Sequence, residues 1–251
     1  MVYNVTPMSA IHHILQGIKT GFFWARFKGS DKGRYSYSQT GEDLIIRTLY
    51  NWKGVKNPSY LDIGAHHPFI ISNTAFFYLS GSRGINIDPD PTLIKAFQKD
   101  RPLDINLNCG IGPKAGVFTL YIINERSLNT FSKEDADDAV KQGRIIEQTI
   151  EVPILTIEDV LEKYCKGVFP SFFSLDVEGL DLEILQSIPW SRTSPDVICV
   201  EAITYDRNGT GGKKRPEMIE YVLSKGYFLF ADTYLNSILV KESFWHGKQG
   251  N

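Results

Sequence analysis

The sequence predicts an α/β fold built on a mostly parallel sheet, and three observations support this prediction. A strand pattern ends at Ile63 and passes through Gly64 and Ala65 into a segment compatible with a helix. A second strand ends in Asp88, 24 positions after Gly64. Later apolar strands also end in acidic residues, as expected where parallel strands share one ligand-binding edge. A chain of 251 residues, 42% of them hydrophobic, can bury the core of such a domain.

Composition narrows the classes of function. The net charge of −2 gives no support for nucleic-acid binding as the main activity. The three cysteines lie far apart without metal-ligand spacing, which indicates a reducing compartment. No run of about 18 apolar residues is present, so no membrane span is expected. The N-terminus lacks the pattern of a secretory signal. We therefore expect a cytoplasmic protein.

The chain divides into a predicted helical appendage, residues 1–35, and a main domain, residues 36–251. Within residues 11–27, apolar side chains fall on one helical face and an aromatic cluster follows. This segment is open to four interpretations: a lid, a contact in a homo-oligomer, a peripheral membrane contact, or a helix packed on its own domain. Residues 127–148 are polar with little periodicity, which is typical of an insertion or flap beside a substrate pocket.

The first turn of the sheet predicts a site for a ribose-bearing cofactor. Gly64 and Ala65 allow a ligand to approach main-chain N–H groups closely. Asp88 follows at close to the spacing of about 20 residues at which an acid accepts the ribose hydroxyls. Asp62, predicted at the mouth of the first strand, would repel a pyrophosphate and suits the cationic S-adenosylmethionine (SAM). The alternative is a buried strand capped by a glycine turn, with Asp88 as a helix N-cap.

Acidic residues end two later strands and predict the catalytic groups. One strand ends in Asp176, with Glu178 in the following turn, and another ends in Glu201. If these strands are neighbours, their ends lie about 5 Å apart. Converging carboxylates can act as a general base, hold a divalent metal through Asp176 and Glu201, or cap helices. Tyr205 and Asp206 follow Glu201 and are candidates for the acceptor pocket.

Two further pairs of residues have both a structural and a functional interpretation. His66 is a candidate catalytic residue and His67 a candidate substrate contact, since histidine suits proton transfer at neutral pH. A histidine satisfied within its loop is the alternative. Glu42 and Asp43 open a predicted helix, and the helix dipole alone explains acidic residues in a first turn.

Four motifs occur in a characteristic order: Gln39–Asp43, Leu61–Ala65, Asp88–Pro91 and Asp176–Gly179. Together they resemble the FkbM family of SAM-dependent methyltransferases over about Ser38 to Val240. The resemblance implies a class I methyltransferase (Rossmann-like) fold. Such a fold has a seven-stranded, mostly parallel sheet with helices on both faces and an antiparallel last strand. It also implies O-methylation of a hydroxyl on a sugar, a glycan or a related natural product.

The resemblance also implies roles for individual residues. Those at the cofactor are Asp62 and Gly64 at the methionine end, Asp88 on the ribose, Cys109 and Gly110 beside the adenine, and Gln39 and Asp43 closing the site. The sequence departs from the family at His66 and Pro68, where members usually carry Asn and Gly. Pro68 removes a backbone donor from the cofactor turn.

Two other classes of function stay open. A nucleotide-dependent oxidoreductase uses the same kind of sheet, although Asp62 argues against its pyrophosphate. A non-catalytic scaffold with the SAM-binding fold is compatible with the altered turn at Pro68. Binding of SAM, of NAD or of neither separates the three hypotheses.

Overall fold

The computed structural model of the protein describes residues 35–177, 179–205 and 212–247. The predicted appendage therefore lies, up to residue 34, outside the described residues. In the described part the strands are β1 (Tyr60–Ile63), β2 (Gly84–Asp88), β3 (Ile105–Asn108), β4 (Gly110–Ile111), β5 (Gly116–Ile123), β6 (Ile146–Leu155), β7 (Phe172–Leu175), β8 (Val197–Glu201), β9 (Ile203–Tyr205), β10 (Gly212–Lys214), β11 (Tyr227–Asp232) and β12 (Asn236–Lys241).

The helices connect these strands in the alternating order that the sequence predicts. They are α1 (Glu42–Trp52), α2 (Ala75–Leu79), α3 (Pro91–Asp100), α4 (Lys133–Lys141), α5 (Ile157–Cys165), α6 (Asp181–Ser187), α7 (Pro216–Leu223) and α8 (Glu242–His246). Among the described residues, no helix combines the length and the apolar character needed to cross a bilayer.

The main sheet has seven strands in the order β11-β12-β8-β7-β1-β2-β3. The pairs from β8 to β3 are parallel, whereas β12 is antiparallel to both β11 and β8. The prediction of a mostly parallel sheet with an antiparallel last strand is confirmed. Asp176 directly follows β7, Glu201 ends β8, and these two strands are neighbours, so the condition for converging carboxylates is met.

Helices cover both faces of this sheet because its central strands are buried on both sides. Leu61 and Ile63 of β1 belong to the core that contains the apolar residues of α5, α6 and α7. Tyr60 belongs to the opposite core, with the apolar residues of α1 and Phe77 of α2. The alternation of side chains along a strand explains this division. It also directs Asp62 to the same face as Tyr60.

A second, three-stranded sheet with the order β4-β6-β5 extends from the edge of the domain. Gly110, which the family resemblance assigns to the adenine, lies in β4 and pairs with β6. Residues 127–148 include most of a short 3-10 turn, α4 and the start of β6. Asp90 accepts hydrogen bonds from Arg126 (3.2 Å) and Asn129 (3.0 Å). These bonds attach the start of the segment 127–148 to the loop after β2.

Arg101, at the end of α3, has a fully buried side chain at the centre of a polar network. Its guanidinium pairs with Asp104 at 2.9 Å and donates to the Tyr60 hydroxyl at 2.8 Å. It also donates to the Thr74 hydroxyl (3.0 Å) and to the carbonyl oxygen of Pro68 (3.4 Å). One side chain thus joins β1, the first turn after it and the segment that leads into β3.

We expect Arg101→Met to lower the free energy of unfolding by about 3–5 kcal/mol, because Asp104 would keep a buried charge without its partner. Arg192→Met is the matched control, since Arg192 is 45% exposed and pairs with Glu158 on the surface. This control should lower the free energy of unfolding by no more than about 1 kcal/mol. Urea denaturation of both variants measures the difference. Equal losses would contradict the role assigned to the buried network.

Candidate active site

The carboxyl ends of four neighbouring strands bring the predicted residues together. β1 lies between β2 and β7, and β8 lies beyond β7. The strand register places the residues at these ends side by side in the order Asp88, Gly64, Asp176 and Glu201. Asp176 is exposed, while Glu201 is only 8% exposed. This is the edge at which open α/β sheets bind ligands.

Gly64 allows the first turn to pack tightly against the loop that follows β7. Its φ is +77°, and its N–H and that of Ala65 donate to the carbonyl oxygen of Ile87 at 3.0 and 3.1 Å. A Cβ atom on Gly64 would lie 1.7 Å from the carbonyl oxygen of Asp176. Glycine is therefore required here both by the backbone conformation and by the close approach.

Asp88 presents a buried carboxylate that two backbone amides hold in place. Its oxygens accept hydrogen bonds from the N–H groups of His66 (3.0 Å) and Asp90 (2.8 Å). An ionised carboxylate has about four acceptor positions, so capacity for ligand hydroxyls remains. Burial raises the pKa of Asp88 to about 7. The N-cap of α3 is Asp90, whose carboxylate accepts from the Thr92 N–H, so the alternative of Asp88 as the cap is wrong.

Asp62 lies in the interior, which corrects the expectation that it stands at the mouth of the first strand. It is the third residue of β1 and is 4% exposed. Its carboxylate accepts a hydrogen bond of 2.6 Å from the Thr74 hydroxyl, which in turn accepts one from Arg101. Burial raises the pKa of Asp62. Asp62 thus joins the buried network beneath the first turn.

The two histidines of the first turn have different environments. His66 is half-buried with a φ of +54°, and its pKa is lowered by burial and by the neighbouring His67, against an opposing effect of Asp90. The Nδ1 atom of His67 accepts hydrogen bonds from the N–H groups of Phe69 and Ile70, both at 3.1 Å. His67 therefore shapes its own loop, as the structural alternative predicts.

The loop after β7 is organised by Asp181, which sequence reasoning missed. Asp181 is 2% exposed and accepts hydrogen bonds from the N–H groups of Val177 (3.1 Å) and Gly179 (3.3 Å). The guanidinium of Arg215 lies 3.6 Å from the carboxylate oxygen that accepts from Gly179. An acid two positions after the glycine of a strand–turn–helix motif was the available signal. Glu178, the predicted catalytic residue of this loop, lies outside the described residues.

Asp43 holds the segment Ser36–Gly41 in place at the start of α1. Its fully buried carboxylate accepts hydrogen bonds from the Tyr37 N–H (2.7 Å) and from the hydroxyls of Ser36 (2.6 Å) and Ser38 (3.0 Å). The Ser72 N–H donates to the carbonyl oxygen of Tyr37 at 2.9 Å. The segment before α1 therefore directly contacts the loop between β1 and α2, which begins with the first turn.

The remaining predicted site residues are distributed around this edge. Gln39 is exposed beside the first turn. Cys109 is buried at the end of β3, and burial raises its pKa to about 11. A Cβ on Gly110 would lie 2.5 Å from a side chain of β6. Tyr205 ends β9, next to residues outside the described part, which include Asp206.

The cavities and the possible metal ligands of the described part also bear on where the site lies. Two cavities of the described part flank α1; one is lined by Leu44, Ile45, Thr48, Trp52 and Phe230. We place the candidate site at the sheet edge because the loops after β1, β2 and β7 converge there. Within residues 35–177, 179–205 and 212–247, no group of three His, Cys, Asp or Glu side chains could hold a metal ion.

The strand order and the acidic edge are those expected of a class I methyltransferase. Residues 62–229 match the family described as Methyltransferase FkbM domain, which is more than half of the chain. The chain belongs to the FkbM family of SAM-dependent methyltransferases. The expectation drawn from the four sequence motifs is thereby confirmed at the level of the family.

Several solved structures are similar to this chain. The methyltransferase FkbM from Methylobacillus flagellatus KT is 15% identical with a TM-score of 0.44, over 91% of this chain and 60% of that one. This chain thus spans 60% of that relative's length. The O-methyltransferase from Bacillus cereus in complex with SAH is 13% identical with a TM-score of 0.40, over 94% and 93% of the two chains.

A third similar structure is the 1,6-didemethyltoxoflavin-N1-methyltransferase from Burkholderia thailandensis, with bound 1,6-didemethyltoxoflavin and S-adenosylhomocysteine. It is 12% identical with a TM-score of 0.39, over 94% of this chain and 91% of that one. No curated protein matches the sequence.

Gly64→Ala should destabilise the protein by at least about 3 kcal/mol, because strain at positive φ adds to the clash with Asp176. Gly143→Ala separates the two effects, since Gly143 also has a positive φ (+89°) but nothing lies within 4 Å of its added Cβ. We expect that control to cost about 1 kcal/mol. Thermal and urea unfolding of both variants measure the costs. Equal costs would show that the first turn does not need the close approach.

Proposed function

We propose that this chain is a SAM-dependent O-methyltransferase that acts on a hydroxyl of a sugar, a glycan or a related natural product. The observation that carries the proposal is the Asp88 carboxylate. It is buried, fixed by the amides of His66 and Asp90, and level with Gly64 at the ligand-binding edge. Membership of the FkbM family supports methyl transfer over the hydride transfer of an oxidoreductase.

The cofactor side of the site uses residues from four segments. Asp88 accepts the ribose hydroxyls, and the turn at Gly64 and Ala65 brings main-chain N–H groups near the methionine end. Asp62 supports this turn from the interior through Thr74. The other cofactor residues are Gln39 and Asp43 before and in α1, and Cys109 and Gly110 beside the adenine. When bound, SAM supplies a methyl group on a positively charged sulfur.

Proton removal from the acceptor hydroxyl falls to carboxylates at the neighbouring strand ends. Asp176 is exposed beside Gly64, and Glu201 follows on the next strand. A carboxylate within hydrogen-bonding reach of the hydroxyl can take its proton as the methyl group is transferred in line. Glu178 is a third candidate for this base. His66, whose pKa is lowered by burial, stays neutral at pH 7 and can also accept a proton.

In this proposal the acceptor lies towards β8, where Tyr205 and Asp206 follow Glu201, and His67 contributes a contact from the turn after β1. A metal bound by Asp176 and Glu201 would acidify the hydroxyl and is the alternative to a free carboxylate base. We further propose a cytoplasmic protein that can form a homo-oligomer, and for residues 11–27 the four roles of lid, oligomer contact, peripheral membrane contact and helix packed on the domain stay open. Failure to bind either SAM or S-adenosylhomocysteine would instead support the alternative of a non-catalytic scaffold.

Substitution of the base should lower turnover without loss of the cofactor. We expect Asp176→Asn or Glu201→Gln to reduce methyl transfer at least about a hundredfold for the true base, with little change in SAM affinity. Transfer of labelled methyl groups to a pool of saccharides and natural products measures turnover, and calorimetry measures affinity. The same transfer assay in the presence of a chelator tests whether the reaction needs a metal. If turnover is unchanged while SAM still binds, the substituted residue is not the base.

Asp88 should make SAM affinity depend on pH. Its pKa of about 7 means that the carboxylate is protonated at lower pH and loses acceptor capacity for the ribose hydroxyls. If only the ionised form binds, the association constant rises about tenfold between pH 6 and pH 8. Calorimetry across this range gives the profile. Asp88→Asn should bind weakly with a flat profile; an unchanged slope in that variant would assign the titration to another group.

A further inference from the structure

Glu42, the first residue of α1, is completely buried and bridges two distant parts of the chain. Its carboxylate accepts hydrogen bonds from the Thr233 hydroxyl (2.7 Å) and the Asn236 side-chain amide (3.0 Å). It also accepts from the backbone N–H of Thr40 (2.9 Å) and from the Thr40 hydroxyl. Burial alone would raise its pKa, but the hydrogen bonds from Thr40 and Thr233 bring the pKa down to about 2. Glu42 is therefore ionised throughout the physiological range.

A favourable helix dipole does not account for this arrangement. An acid in a first turn gains from the dipole while exposed to solvent, as Glu158 does in α5, where it is exposed and pairs with Arg192. Glu42 is instead removed from solvent and surrounded by donors from two segments nearly 200 positions apart in sequence. Burying a charge is costly unless it is fully hydrogen-bonded, so the bridge constrains both segments.

One of these segments contacts the first turn of the sheet. Thr40 belongs to the segment Ser36–Gly41, and Tyr37 in the same segment accepts a hydrogen bond of 2.9 Å from the Ser72 N–H. The rings of Tyr37 and Phe69 lie 6.4 Å apart between their centroids. The segment on this side of Glu42 thus contacts the loop that contains the turn assigned to the cofactor.

The other segment contacts the strand that ends in a candidate base. Thr233 lies in the turn between β11 and β12, and Asn236 begins β12, where it lies directly opposite Glu201 in the ladder with β8. The Ala202 N–H donates to the carbonyl oxygen of Leu235 at 2.9 Å. This side of the bridge thus fixes the position of Glu201.

We propose that Glu42 is a positioning residue that couples the cofactor side of the edge to the acceptor side. The inference rests on the proposed function, in which SAM binds at the first turn and Glu201 faces the acceptor. If either segment moved away, the Glu42 charge would stay buried with fewer donors, at a cost of several hydrogen bonds to a charged group. Cofactor binding that orders the first turn therefore also orders the turn beside Glu201.

Hydrogen exchange with and without S-adenosylhomocysteine tests this coupling without the acceptor. In the unsubstituted protein, the saturating compound should slow exchange in residues 62–73 and, by at least about fivefold, in residues 233–237. In Glu42→Gln the protection of residues 62–73 should persist while that of residues 233–237 is lost. Glu158→Gln, which removes the same charge from a first turn without a bridge, should behave like the unsubstituted protein.

The outcomes separate the inference from the proposed function. Protection of residues 233–237 that persists in Glu42→Gln overturns the coupling, as does protection confined to residues 62–73 in the unsubstituted protein. No protection anywhere at saturation overturns the SAM site itself and the inference with it. If Glu42→Gln does not fold, Thr233→Val removes one donor and leaves the charge; undiminished protection of residues 233–237 in that variant also overturns the coupling.

Discussion

The buried guanidinium of Arg101 is the interaction on which the rest of the site depends. Its ion pair with Asp104 lies in the interior, where a charge is tolerated only with dense hydrogen bonding. Arg101 also donates hydrogen bonds to the Thr74 hydroxyl and to the carbonyl oxygen of Pro68. These bonds hold the loop after β1 against the core. The loop that would otherwise move most freely at the sheet edge is thus attached to the core.

The segments around this edge are held by acidic residues. Their carboxylates accept hydrogen bonds from backbone and side-chain donors. Asp43 and Glu42 hold the segment before α1, and Asp181 holds the loop after β7. Each of these acids is almost completely buried. The exposed Asp176 has a different environment, since it lies at the open end of its strand. Burial and hydrogen bonding therefore give Glu42, Asp43 and Asp181 a structural role at this edge.

The sequence was sufficient where the governing interactions are local. Strand ends and glycine turns are set by neighbouring residues, so the alternation of strands and helices and the position of Asp88 at the end of β2 followed from spacing. Asp62 was misplaced because strand alternation, not distance from the strand end, decides which way a side chain points. The partners of Arg101 and Glu42 were not predictable. Glu42 meets Asn236 across 194 positions, and no local pattern records such a pair.

The central claim is that an adenosyl cofactor binds at this edge with its ribose on Asp88. A crystal structure of the protein with S-adenosylhomocysteine tests it most directly. The account predicts both ribose hydroxyls within hydrogen-bonding distance of the Asp88 carboxylate and the amino-acid end of the ligand over the turn at Gly64. Adenosine bound elsewhere, for example in the apolar cavity beside α1, with Asp88 bonded only to the amides of His66 and Asp90, would contradict it.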